Sequence, residues 1–466
     1  SVMQHCTEHA QRQRVVVQYP PGRSHSSHPS YLASYKHPNT NETPCRTAAR
    51  HHTIAGMTQQ GGGVLTIVLV MDTLGGLGNG TSNSAWQYAH ELTRQGHHVR
   101  MVGIGSPRYP ARVHRVPFAS WVAAKQRMQF AKPDVGLFER AFRGADVVHI
   151  YMPFAFGRCA LRVARSMRLP VTAGFHLQPE NITYSAGPLR YVPGISGMIY
   201  RLFRRWLYRD IAHIHVPSRM IAQQLRDHGY TAKLHIISNG FSPRFAPRLA
   251  SRSAPPARSS SARAEPGSSP TLRPAHGGRP SFRVIASGRL TREKDQITLI
   301  RAVAACAHRG EIELVIAGTG PLRRRLQAVA DRLLPGQASI AFCPNDRMPR
   351  LLDSGDLFVH TSVVDIESLS VLEAMSSGLV PVLAQSDLSA ASQFALTPQS
   401  LFPARDVAAL ADRIDWWLDH PRQRTRWAAR YAEQARRRYR IETCVARFVD
   451  MEREAIADHR GAGADE

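Results

Sequence analysis

Acidic residues are scarce in this chain. Its 466 residues hold 35 Asp and Glu against 60 Lys and Arg, a formal net charge of +25. Such a balance attracts phosphates, whether of nucleic acid, anionic lipid or nucleotide-linked substrates. Part of the excess has a plainer source, because much of the Arg sits in low-complexity segments. Cysteines are few and scattered (Cys6, Cys45, Cys159, Cys306, Cys343, Cys444), with no CxxC pair and no Cys/His set at zinc spacing. That excludes a disulfide framework and reads as a reduced, cytoplasmic protein. No run reaches the ~18 apolar residues of a membrane-spanning helix, and the N-terminus carries no apolar signal core. No glycine cluster leads into GK[ST], so a Walker A phosphate loop is absent.

What is present is the composition of a globular α/β protein, 43% hydrophobic and 20% charged, long enough for two or three domains. Residues 1–56 are rich in His, Ser, Pro and Arg without sustained periodicity and are expected to be a disordered tail. The run GVLTIVLVM (63–71), the glycine-rich loop after it, the helical pattern SNSAWQYAHELTRQ and the run HVRMVGI form a strand–loop–helix–strand order, the unit of a parallel α/β sheet. ADVVHIYM, LPVTAGFH, AHIHVPS and KLHIISNGF continue it, giving a first domain over 57–247. Residues 248–280 are Ser, Pro, Ala, Gly and Arg without aromatics, which cannot build a core and read as a disordered linker or insertion. Alternation restarts with RVIAS, DQITLIRAVAACAHRG and IELVIAG. It runs on through SIAFC, DLFVHTS and LVPVLAQ to make a second domain over 281–440. A C-terminal helix and tail occupy 441–466.

Four segments carry candidate chemistry. In GGLGNG (75–80), Thr81 stands where the last glycine of a dinucleotide fingerprint belongs, and no acidic residue closes the next strand. Gly78, Asn79 and Gly80 therefore read either as a tight turn or as an anion-facing helix start. GFHLQPENITY places His176, Gln178, Glu180 and Asn181 at the end of an apolar strand, where open α/β sheets bind ligands; a polar turn is the plainer reading. SGRLTREKD follows the first strand of the second domain. Arg289 offers a bidentate fork to phosphate and Lys294 a point charge, or both simply face water. DIESLSVLEAMSSG puts Asp365 and Glu367 in a loop and Glu373 inside a helix. The N–H groups near Ser368, Leu369 and Ser370 suit a diphosphate, and a carboxylate within VLEAM is costly without a partner.

These residues resemble family 4 glycosyltransferases, retaining enzymes of the GT-B fold. The second domain is similar to that family's nucleotide-sugar half in SGRLTREKD, AGTGP (317–321) and DIESLSVLEAMSSGLVPV, all in order. VPSRMIAQQLRDHGYTAKLHIISNGFSPRF and NGTSNSAWQYAHELTRQGHHV extend the similarity through the first domain. The resemblance implies two doubly wound Rossmann-like domains facing a cleft, with C-terminal helices crossing back to the first. It implies a nucleotide-sugar donor (UDP- or GDP-sugar) and a lipid, lipid-linked glycan or other glycan acceptor. It implies Arg289, Lys294, Gly318, Ser368, Leu369 and Ser370 at the donor, Glu373 on the ribose hydroxyls, and Asp365 with Glu367 by the sugar. His176 and the 78–80 loop would face them, without metal or cofactor. The chain departs from the family pattern in having Asp365 for the first Glu of E-x(7)-E, Arg219 for the Glu after "PS", and Asp295 for a glycine.

A catalytically impaired nucleotide-sugar or glycan binding protein is the alternative. A nucleic-acid binder is disfavoured because the basic excess lies largely in segments without aromatics. GISGMIYRLFRRWLYRDI (194–211) sets apolar residues among four Arg. It reads as a helix lying on an anionic membrane or as a core-facing helix with a solvated Arg face.

Overall fold

The computed structural model describes residues 63–74, 80–117, 120, 123–124, 128–187, 191–245 and 282–462. The expected tail 1–56 and linker 248–280 lie outside the described residues, as do Gly78 and Asn79.

The first half of the chain supplies β1 (Thr66–Thr73), β2 (His98–Ile104), β3 (Tyr109–Pro110), β4 (Val113–His114), β5 (Phe130–Ala131), β6 (Val147–Ile150), β7 (Val171–Gly174), β8 (His213–Val216) and β9 (Lys233–Ile236). Seven of these form one parallel sheet in the order β3-β2-β1-β6-β7-β8-β9, while β4 and β5 pair antiparallel beside it. All but the first residue of β1, TIVLVMDT, are buried, as a central strand covered by helices on both faces requires. The second half supplies β10 (Phe282–Ser287), β11 (Ile312–Ala317), β12 (Ala338–Ala341), β13 (Leu357–His360), β14 (Val380–Gln385) and β15 (Leu401–Pro403). They form a parallel sheet in the order β12-β11-β10-β13-β14-β15.

Both sheets reverse direction of growth once. After β1 the chain builds β2 and β3 on one side, then places β6 on the other; β10 is flanked by β11 and β13 in the same way. At such a switch point the connections leave in opposite directions and open a crevice beyond the strand C-termini. The loops after β6, β10 and β13 are thereby set around a site before any side chain is considered.

Two cores result, one around β1 and one around β10. The helices Val407–Asp419 and Pro421–Arg438 stay with the second core through Ile414, Trp417 and Tyr431. The final helix, Ile441–Ala462, crosses back and buries Cys444, Val445, Phe448 and Val449 in the first. Phe448 packs edge-on to Tyr88 and to His149. The outward crossing, at Asn239–Phe245, delivers Phe241 and Phe245 to the second core. The crossings bond to each other: the Phe241 N–H donates to the Tyr439 carbonyl (2.9 Å) and the Ile441 N–H to the Phe241 carbonyl (3.2 Å). Gly240, at φ +70°, sits against Ile441 with no room for a larger residue.

Phe448→Ala removes a fully buried ring that ties the last helix to the first core, and should cost about 3–5 kcal/mol. Urea unfolding measures it. An unchanged midpoint would show that this helix is not part of the core.

Candidate active site

The loop after β10 is shaped by glycine. The Gly288 N–H donates to the Ala317 carbonyl (3.0 Å) and the Leu290 N–H to the Thr319 carbonyl (2.9 Å). A Cβ at Gly318 would overlap the Gly288 carbonyl, and one at Gly320 the Leu290 backbone. Gly318 therefore seats the basic loop rather than lining the cleft. Residues Arg292–Lys294 then form a short 3-10 turn ending at Asp295, which is left-handed at φ 47° and starts the helix Gln296–Ala305.

Arg289 and Lys294 each already have a carboxylate. Arg289 lies 3.2 Å from Glu293, which also accepts from the Thr291 hydroxyl (2.6 Å). The Lys294 ammonium lies 2.5 Å from Asp365 Oδ2. β13 ends in His360, whose Nε2 is 3.1 Å from the same Asp365 oxygen and 3.0 Å from Ser368 Oγ. Burial alone would raise the Asp365 carboxyl, but the Lys294 ammonium and the His360 hydrogen bond overcome it and hold it far below the usual carboxylate range. The two loops are laced by backbone as well, with the Val363 N–H donating to the Glu293 carbonyl (2.8 Å) and Thr361 Oγ1 to the Lys294 carbonyl (2.8 Å).

Ser368 takes a left-handed conformation (φ 78°) and precedes the helix Leu369–Ser376. A non-glycine residue at positive φ costs energy and persists only where its surroundings hold it; here the His360 bond does so. Of the first-turn N–H groups, that of Val371 donates to the Ser368 carbonyl (3.0 Å), while those of Leu369 and Ser370 have no intrahelical acceptor and lie at the same cleft as Arg289 and Lys294. Opposite them stand Gly80, Ser84, His176, Asn181 and Asn239.

Glu367 joins the two halves. It accepts the Asn239 backbone N–H (3.0 and 3.1 Å) and the Asn239 side-chain amide (2.6 Å). Burial pushes its carboxyl up to about 7 against these bonds, and the Asp365 charge adds to the rise. Gln178 makes a second bridge, donating to the Leu388 carbonyl (3.2 Å). His176 is buried at the cleft wall; burial, reinforced by His215 and His149, holds its imidazole well below the ordinary value.

The cleft thus brings together Gly80, His176, Arg289, Lys294, Asp365, Glu367, Ser368, Leu369 and Ser370 of the residues expected at the site. Glu373 does not line it. It is half-buried one turn into its helix, where burial pushes the carboxyl up to about 7 and the Arg244 charge acts in the opposite direction. The polar cluster 176–181 divides: Gln178 bridges, Glu180 accepts from the Tyr200 hydroxyl (3.2 Å), and only His176 and Asn181 line the cleft. Sequence reasoning missed His360, Glu293 and Asn239. His360 carried a signal, a titratable residue closing the apolar run LFVH; Glu293 pairs with Arg289 four residues before it, and Asn239 acts through Glu367, 128 residues away.

Lys294→Met leaves Asp365 buried without its main countercharge and should cost about 3 kcal/mol, whereas Lys294→Met with Asp365→Asn should lie within about 1 kcal/mol of wild type. A depressed carboxyl contributes stability above its ordinary value of 3.8 that is lost as pH falls below it. Wild type should therefore lose this increment on acidification and the double variant should not. Urea midpoints across pH measure both.

Comparison with known proteins agrees with this geometry. The family described as Glycosyltransferase Family 4 matches residues 78–245, and Glycosyl transferases group 1 matches residues 272–435. The chain is 25% identical over 335 residues to an alpha-monoglucosyldiacylglycerol synthase of Streptococcus pneumoniae, covering 69% of this chain and 71% of that one. It is 24% identical over 312 residues to a GDP-mannose-dependent alpha-mannosyltransferase of Corynebacterium glutamicum, covering 65% and 68%. Among solved structures, Anabaena HepE in complex with UDP-glucose shares the fold at a TM-score of 0.59 and 16% identity, covering 85% of this chain and 100% of that one. With two switch-point sheets around one basic cleft and both halves matched by these families, the chain belongs to the family 4 glycosyltransferases of the GT-B fold.

Proposed function

We propose that the chain transfers a hexosyl group, with retention of anomeric configuration, from a UDP- or GDP-sugar to a lipid, lipid-linked glycan or other glycan acceptor. The observation that carries this reading is the meeting of Arg289, Lys294 and a helix N-terminus at one switch point, facing the first sheet across a cleft. Charge develops on the departing diphosphate as the glycosidic bond breaks, and fixed cations placed there lower the barrier. The diphosphate takes Arg289 and Lys294 by displacing Glu293 and Asp365. Asp365, released, then faces the donor sugar, while Glu367 keeps Asn239 in place. No step is assigned to a metal or cofactor. The relative named for GDP-mannose and the neighbour solved with UDP-glucose support the donor class.

A second reading, binding without transfer, is favoured by one fact: Asp365 and Glu367 both end in internal contacts. One set of measurements separates the two. A UDP- or GDP-sugar should raise the melting temperature by mass action and be turned over by the wild-type chain. Arg289→Ala should lower turnover on the order of a hundredfold. Asp365→Asn should lower turnover while donor still stabilises the fold, and Glu367→Gln should be milder. Donor binding with no turnover would establish the binding reading, and an inverted product by NMR would end the retaining assignment.

The acceptor side rests on the helix Ile195–Trp206. Tyr200 and Phe203 face the core, but Met198, Leu202 and Trp206 are 53%, 56% and 45% exposed. They recur every four residues and form one stripe, flanked by exposed Arg201, Arg204, Arg205 and Arg209. Trp206 thus belongs to the outer stripe and not to the core face. No described helix is long and apolar enough to cross a membrane; this one has the pattern of a helix that lies on one. The relative named as a diacylglycerol glycolipid synthase supports a lipid acceptor. Leu202→Glu with Trp206→Glu should abolish sedimentation with phosphatidylglycerol vesicles and leave donor-induced stabilisation unchanged. Undiminished sedimentation would remove the helix from the acceptor side.

A further inference from the structure

Three imidazoles from three neighbouring strand ends meet beneath the cleft wall. His149 lies in β6, His176 just beyond β7 and His215 in β8, and these strands are adjacent in the sheet. All three side chains are buried. His149 Nε2, His176 Nε2 and His215 Nδ1 have no hydrogen-bond partner, and the three histidines bring one ring nitrogen each within 4.8 Å of one another. Unpaired buried polar atoms are rare in folded proteins and call for an explanation.

The outward nitrogens identify the tautomers. His215 Nε2 is 2.7 Å from the Ile237 carbonyl. A carbonyl can only accept, so Nε2 carries the proton and Nδ1 presents a lone pair. His149 Nδ1 lies 2.8 Å from Thr172 Oγ1 and 3.1 Å from Glu452 Oε1. Thr172 Oγ1 in turn donates to the Glu452 carboxylate (2.9 and 3.0 Å). The Thr172 hydroxyl gives its one proton to Glu452 and can only accept from His149, so His149 Nδ1 is the donor and Nε2 again presents a lone pair. Within one tight cluster, His149 Nε2 and His215 Nδ1 thus present lone pairs and His176 Nε2 is partnerless, and neutral imidazoles gain nothing from leaving them so. Gly174 keeps the space open, since a Cβ there would collide with the His176 ring and come within 3.2 Å of His149 Nε2.

We propose that His149, His176 and His215 form a buried site for a divalent transition-metal cation of the zinc class. Three neutral imidazoles are a donor set for such an ion, leaving a fourth position for water. Zinc–nitrogen bonds are about 2.0–2.1 Å, and nitrogens within 4.8 Å of one another can gather around one such ion. The outer contacts are those that support metal-bound histidines: a carboxylate behind His149 and a backbone carbonyl behind His215. Glu452 is fully buried, and the ion supplies positive charge that its other close partner, Thr172, cannot. The neighbouring group His213, His235 and Glu454 differs. There the ring nitrogens serve one another and Asp458 (3.0 Å each), leaving no converging lone pairs. Because Glu452 lies on the last helix and His176 on the cleft wall, the ion would tie the returning helix to the orientation of a cleft residue.

The test is metal binding, read independently of transfer activity. The full chain, stripped with chelator, is titrated with Co2+ and then Zn2+. Wild type should show the visible ligand-field bands of four-coordinate Co2+, lost on adding one equivalent of Zn2+, and Zn2+ should raise its melting temperature. His176→Gln removes a nitrogen that has no hydrogen bond to lose, so the variant should fold. It should retain one equivalent less metal after gel filtration, which cancels weak sites among the chain's other histidines. Glu452→Gln should weaken binding by about ten- to a hundredfold. Absence of the Co2+ bands in wild type, or equal metal content in wild type and His176→Gln, would overturn the proposal. The wild-type titration decides the matter alone if a variant does not fold.

Discussion

Two stretches of chain cross between the sheets, and they hydrogen-bond to each other. The pairing of Phe241 with Tyr439 and Ile441 is short, yet everything at the cleft depends on it. It sets the distance between the switch point at β1 and the one at β10. The outgoing crossing sends Phe241 and Phe245 into the second core, and the return buries Phe448 in the first. Each half therefore carries a piece of the other. Glu367 on Asn239 and Gln178 on Leu388 then close the contact beside the site itself.

Within that frame the site is built from loops that parallel sheets leave at their C-terminal edges. The basic loop is held down by glycines that let it lie against the β11 loop, and the acidic loop is laced to it by backbone bonds. Charge is matched inside the protein before any ligand arrives. Asp365 tolerates burial because Lys294 and His360 are close; Glu367 tolerates it less well, which is why burial raises its carboxyl while Asp365 goes down.

The sequence displayed the architecture well, because buried parallel strands are written as uninterrupted apolar runs. TIVLVMDT, LFVH and VPVLAQ lie where such runs predict. The helices Val135–Phe142 and Ala155–Ser166 and the brief strands β3, β4, β5 and β15 were not read, being short or lacking a distinctive period. The cleft residues were legible through their position at strand ends. Their partners were not, because Lys294 and Asp365 stand 71 residues apart and Glu367 and Asn239 stand 128 apart. Only sheet order brings such pairs together. The same holds for His149, His176 and His215, each of which alone resembles an ordinary histidine on an apolar strand. Gly318 and Glu373 were legible by motif position alone: Gly318 is closed in by the Gly288 carbonyl, and Glu373 sits half-buried one turn into its helix.

The self-neutralised basic loop changes what the chain's excess charge can do. Attraction at a distance follows the net field, and at the cleft Arg289 and Lys294 are cancelled at close range by Glu293 and Asp365. On the proposed reading a diphosphate would enter by exchanging with those carboxylates on contact, an event too short in range for dissolved salt to screen well. The Arg face of the helix Ile195–Trp206 has few such internal partners and works across water, where the Debye length is about 10 Å at 0.1 M salt. Ionic strength would therefore act on the two proposed encounters unequally, loosening a hold on a charged surface while leaving a hold on a donor largely intact.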